Sequence, residues 1–138
     1  MRVVLDTNVF VSSYLSPAGP SARIMRAVRD GTVVPVVSAE LLVEYARVLE
    51  YPGLVRLHQM TSARIRQELA LFAGFTVPAD LGDIPSVITE DPADDVILAT
   101  AVAGAARYLV SGDQDLLRLG SYHGIQVLKP AGFLSLQE

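Results

Sequence analysis

The residues of this chain able to do chemistry are carboxylates. The stretch TEDPADDVILATA, residues 89–101, places Glu90, Asp91, Asp94 and Asp95 within six residues and then turns wholly apolar. Asp6 follows the apolar run RVVL, Asp113 follows YLVSG, and Glu44 lies inside AELLVEYARVL. A set of acids with neither Cys nor His among them is a hard-oxygen site, suited to Mg²⁺ or Mn²⁺ rather than to zinc. Such ions bind phosphate oxygens and, in pairs, stabilise both the attacking and the leaving oxygen of a phosphodiester displacement. Four acids carry the charge that two divalent ions cancel; without the ions they would repel one another and a phosphate backbone alike.

Bringing these acids together is the task of the elements that carry them. Apolar, β-rich runs alternate with helical patterns, which is the signature of a mostly parallel sheet covered on both faces, a three-layer α/β arrangement. Strands are expected at 2–5, 33–37, 108–111 and 125–128, with a weak candidate near 84–88; Pro35 suggests that the second is an edge strand or irregular. Helices are expected at about 7–15, 20–30, 39–50, 61–73, 94–106 and 113–119, with a short one from Pro130. Ser38 reads as an N-cap, Thr61 or Ser62 as another, and Gly31, Gly104 and Gly120 stand where helices can end.

In open parallel sheets, sites form beyond the C-terminal ends of the strands, near the point where strand order reverses. Asp6 and Asp113 fall at such ends. Glu44 rides the helix that leaves the second strand, and Asp95 opens the helix that feeds the YLVS strand. A bland role competes at each position: Asp6 and Asp113 could be helix caps, and Glu40 with Glu44 a solvated stripe beside Leu41, Tyr45 and Val48. In the acidic stretch, Asp91 before Pro92 fits an N-cap, and Asp94 then takes the third helical position, as in a capping box. Asp95 is left without a structural task, on a helix apolar all round and therefore expected to be covered on every side.

The chain has 138 residues, 51% of them hydrophobic, so one domain spanning 1–138 with a substantial core is expected. No apolar run is long enough to span a bilayer, and Asp6 interrupts any signal-peptide core, so a soluble, cytoplasmic protein is expected. The absence of cysteine removes disulfides, thiolate zinc sites and cysteine nucleophiles. A formal net charge of −4 argues against binding nucleic acid through bulk basic charge, although ten of the eleven basic residues are arginine.

These residues carry a resemblance. DTNV at 6–9, VVSAELLVEYARVL at 36–49, DPADDVILATA at 91–101, LVSGDQDLL at 109–117 and GIQVLKPAGFL at 124–134 resemble, in that order, the PIN-domain nucleases. The resemblance is strongest to the bacterial, VapC-like group that forms the toxin components of toxin–antitoxin pairs. It implies a sheet ordered 3-2-1-4-5 and an acidic quartet of Asp6, Glu44, Asp95 and Asp113, with Asp115 a further metal ligand; the D-x-x-[IL]-A-x-A pattern selects Asp95 over Asp94. It gives Asn8 and Ser111 supporting hydrogen-bond roles. It also implies Mg²⁺- or Mn²⁺-dependent cleavage of RNA leaving 5′-phosphate and 3′-hydroxyl ends, homodimers, and an antitoxin that covers the site. Residues 51–88 carry no matching motif.

Three other readings compete. A phosphatase or phosphoacceptor domain needs a second aspartate two residues after the first, where this chain has Asn8, and Lys129 is badly placed for its lysine. A metal-free ribonuclease would use His58 and His123 as acid and base. A catalytically silent scaffold would keep the fold and bind protein or RNA. The stripe of Arg23, Arg26 and Arg29 reads as a solvated helix face rather than an RNA contact.

Overall fold

The structure, a computed structural model, describes residues 1–82 and 91–137. The strands are β1 (Arg2–Leu5), β2 (Val34–Val37), β3 (Val77–Pro78), β4 (Tyr108–Val110), β5 (Ser121–Tyr122) and β6 (Ile125–Leu128). The helices among the described residues are α1 (Thr7–Ser12), α2 (Pro20–Arg29), α3 (Ala39–Leu49), α4 (Pro52–His58), α5 (Ser62–Ala73), α6 (Pro92–Ala103), α7 (Gln114–Leu119) and α8 (Pro130–Gln137).

The strand order is β3-β2-β1-β4-β6-β5, parallel throughout except for the β5–β6 pair. The expected order 3-2-1-4-5 is therefore present, with β6 in its fifth place and the two-residue β5 added outside it. Strand β1 lies in the middle, pairing Val3 with Pro35 on one side and with Tyr108 on the other. Val3, Val4 and Leu5 are all buried. Consecutive strand residues point to opposite faces, so burial of all three means that both faces of the sheet are covered, and the fold is three-layered.

Several local expectations are corrected. Strand β2 is internal, bounded by β1 and β3. Pro35 is tolerated because the Val34 N–H already donates to Met1 O at 3.0 Å on the β1 side. Along a strand the N–H groups alternate in direction, so the donor that Pro35 lacks would point toward β3, whose pairing begins only at Val36. The weak strand candidate at 84–88 lies outside the described residues; the strand beside β2 is Val77–Pro78. Helix α6 starts two residues before the approximate range 94–106, with Asp91 as its N-cap and Pro92 at its first position as the acidic stretch implied. It is not covered on every side, since Val102 is 46% exposed while Leu98 and Ala101 are fully buried.

Caps explain most helix starts. Ser38 Oγ accepts from Leu41 N–H, and Thr61 Oγ1 from Arg64 N–H, each at 3.1 Å. Ser38 also shares a 2.8 Å hydrogen bond with Thr100 of α6, a buried polar link between the β2 end and the helix that carries the acidic stretch. Helix α3 is anchored over β1 by Tyr45. This side chain is fully buried, stacks on Phe10 with centroids 4.2 Å apart, and donates its hydroxyl to Leu5 O at 2.5 Å.

Candidate active site

Asp6 ends β1 and caps α1: its Oδ1 accepts the Thr7 N–H at 2.7 Å. Its other oxygen, Oδ2, accepts from Ser111 Oγ at 2.5 Å. Ser111 is fully buried at the end of β4, where its backbone N–H donates to Leu128 O, and its hydroxyl in turn accepts the Asp113 N–H at 2.9 Å. One serine thus joins the acids that follow β1 and β4, adjacent strands in the sheet. Asp113 turns its Oδ1 to the N–H groups of Asp115 and Leu116, capping α7. For both aspartates the helix cap is real, and it coexists with membership of an acidic group.

The electrostatics define that group. Burial pushes the Asp6 carboxyl up from its ordinary range; the Ser111 and Thr7 hydrogen bonds pull it back, and repulsion by Asp113 and Asp91 adds to the rise. Asp94 is pushed up to about 7, first by burial and then by Asp113, Asp91, Asp6 and Asp115. Asp6, Asp91, Asp94, Asp113 and Asp115 therefore share one field, supplied by β1, the cap and first turn of α6, and the β4–α7 junction.

This places the expected residues unevenly. Asp6 and Asp113 lie together with Ser111 between them. Asp115 belongs to the same field, though exposed and 3.3 Å from Arg118. Asp94, read from the sequence as a capping residue, also shares this field, and Asp95 is buried beside it in the first turn of α6. Asp94 lies one turn before Ile97 and Leu98, and Asp95 one turn before Leu98 and Ala99, all of them buried, while Val102, two turns after Asp95, is exposed. Glu44 is engaged within its own helix. Its carboxylate is gripped by Arg47, with Nη2 2.8 Å from both oxygens and Nε 3.1 Å from Oε2. Asn8 is exposed in the first turn of α1.

The two histidines have structural settings. His58 accepts the Met60 N–H at Nδ1, 2.9 Å, and its Nε2 lies 2.8 Å from Leu49 O, which ties the ends of α3 and α4 together. His123 occupies the turn of the β5–β6 hairpin at a φ of 50°. The separation of these roles leaves the metal-free acid–base pair without support.

Among the described residues, no three His, Asp or Glu side chains stand as a ready ligand shell for a metal ion. The donor chemistry nevertheless fits a hard divalent cation. The donors are all carboxylates, they repel one another, and the leading influences on Asp6 and Asp94 include no basic side chain.

Two comparisons with known proteins agree with this fold. The family model described as PIN domain matches residues 2–115. Among solved structures, the chain resembles VapBC2 from Rickettsia felis bound to a DNA fragment from their promoter, with a TM-score of 0.60 and 14% identity over 92% of this chain and 97% of that one. It also resembles FitAB bound to an IR36 DNA fragment, with a TM-score of 0.54 and 25% identity over 93% of this chain and 94% of that one. No individual curated protein matches it. With a family model spanning most of its length and an acidic rim at the ends of β1 and β4, this chain belongs to the PIN domain family.

Proposed function

We propose that this protein is a divalent-metal-dependent endoribonuclease and the toxin of a toxin–antitoxin pair. The observation that carries the chemistry is the Asp6–Ser111–Asp113 bridge with Asp94 crowded against it. Asp6, Asp94 and Asp113 would hold the ion, with Glu44 and Asp95 the further acids expected from the family pattern and Asp115 at the exposed margin. Bound there, Mg²⁺ or Mn²⁺ would neutralise the acids and polarise a phosphoryl oxygen for attack by water.

The chain's own residues supply position. Ser111 and the Thr7 N–H fix both oxygens of Asp6, and the α7 N-terminus fixes one oxygen of Asp113, so each presents a defined edge. Asn8, exposed one turn from Asp6, is available to hydrogen-bond a phosphate or water. The partner reading is supported by the resemblance to VapBC2 and FitAB, both toxin–antitoxin complexes. We extend it to a cytoplasmic homodimer inhibited by a cognate antitoxin; among the described residues no helix is long and apolar enough to cross a membrane.

One observation favours the scaffold alternative: Glu44 is tied to Arg47 rather than grouped with the other acids. The experiment that separates the two incubates purified protein with a pool of structured and single-stranded RNAs in EDTA, Mg²⁺ and Mn²⁺, alongside Asp6→Asn and Asp113→Asn. Cleavage that needs the ion, leaves 5′-phosphates and disappears in both variants supports the nuclease. Cleavage indifferent to EDTA, or equal in the variants, refutes this site, and RNA binding without cleavage supports the scaffold.

A further inference from the structure

The contact that sets Glu44 apart has a shape of its own. Arg47, one turn further along α3, forks onto both Glu44 oxygens. Its remaining nitrogen, Nη1, donates to the Tyr51 hydroxyl at 2.5 Å, and the guanidinium lies over the Tyr51 ring, 5.5 Å from its centroid. An ordinary i,i+3 surface pair has one partner at each end; this guanidinium has a third residue holding it. Meanwhile Tyr45, the residue next to Glu44, is bonded to Leu5 O and feels the charge of Asp6. Helix α3 is therefore docked through Tyr45 against the end of β1 that leads into Asp6, while the Glu44 carboxylate is held by Arg47, whose side chain is 56% exposed.

We infer that the Arg47–Tyr51 pair is an internal latch: Arg47 is a positioning residue that occupies Glu44 in the metal-free protein, and a divalent cation must displace it before Glu44 joins Asp6, Asp94 and Asp113. The latch rests on the metal reading above. It spares the fold a further negative charge beside acids already crowded enough to lift Asp6 and Asp94. It also sets a threshold for loading, because the cation competes with a cation already in place. A guanidinium suits this role because it forks onto a carboxylate and cannot lose its charge by deprotonation.

The test is Mn²⁺ binding to the full chain by calorimetry, in four proteins: wild type, Arg47→Gln, Glu44→Gln and the double variant. The latch predicts that Arg47→Gln binds Mn²⁺ tighter by about two- to fivefold, the scale set by one surface ion pair. It also predicts that the gain vanishes in the Glu44→Gln background, since there is then nothing to release. Tyr51→Phe, which removes one anchor of the guanidinium, should shift affinity in the same direction by less. Equal or weaker binding by Arg47→Gln overturns the latch. So does an equal gain with and without Glu44, which would mean that loss of a positive charge acted through the general field. Absence of Mn²⁺ binding in all four proteins overturns the metal reading itself, and the latch with it.

Discussion

Asp94→Asn should stabilise the metal-free protein in a pH-dependent way while abolishing metal-dependent cleavage. In the folded chain the Asp94 carboxyl is raised from 3.8 to about 7. Between those values the folded state keeps a proton that the unfolded state releases. The stability tied to that proton is complete below about pH 4 and is lost as pH rises through about 7. At roughly 1.4 kcal/mol per tenfold, the full shift would correspond to at most about 4 kcal/mol. Two of the acids responsible, Asp91 and Asp115, are exposed, so solvent screening reduces the figure to about 1–2 kcal/mol. Asparagine cannot ionise and escapes the loss. Thermal melts in EDTA should therefore show the variant and the wild type together near pH 4 and separating to roughly 4–8 °C by pH 8. Asp95→Asn should show a smaller separation, and added Mg²⁺ should raise the wild type more than Asp94→Asn because it binds the folded site. A gap independent of pH, or one that follows Asp95→Asn instead, would refute the assignment of Asp94 to the acidic group.

Ser111→Ala removes the donor to Asp6 Oδ2 and the acceptor of the Asp113 N–H, so urea denaturation at pH 7 should show a loss of about 2–3 kcal/mol; an unchanged midpoint would mean that the bridge carries no energy. Tyr45→Phe leaves the ring stacked on Phe10 but strips the bond to Leu5 O, and should cost about 1–2 kcal/mol by the same assay. At Gly104, which ends α6, an added Cβ would fall 2.0 Å from the Cγ1 of buried Val36. Gly104→Ala should destabilise by about 1–3 kcal/mol, and Val36→Ala in the same chain should recover part of that in thermal melts, as expected of a steric clash.

The parts of the fold that a reader of the sequence can see are those whose signal is local. Apolar runs closed by an acid mark β1 and β4, and Ser38, Asp91 and Pro92 mark helix starts by cap chemistry that needs no tertiary partner. Helix α4 escapes because none of its residues is buried, so it has no apolar face to create a period. Strands β3 and β5 have two residues each, too few for alternation to register, and exist through pairing with β2 and β6. The acids of α6 are ambiguous for a different reason. Asp94 and Asp95 are adjacent, and apolar residues follow both on every side of the helix, so the pattern does not reveal the rotation about its axis. Both acids are buried, and Leu98 lies one turn beyond each of them. Glu44 was visible as an acid on an apolar helix, but its pairing with Arg47 is a side-chain choice between two available neighbours.

The position of β1 also orders events during synthesis. Its Asp6 is made well before β4: the serine that holds it lies 105 residues later in the chain. At about 5–20 residues per second, that serine follows after roughly 5–20 seconds. Until then the nascent chain has no β4, and the middle strand of the finished sheet offers an unpaired edge on one side. A polypeptide arrested before Ser111 is consequently inert at this rim however well its first half has folded. Truncated products should expose an aggregation-prone strand and lack the serine that joins the two acids.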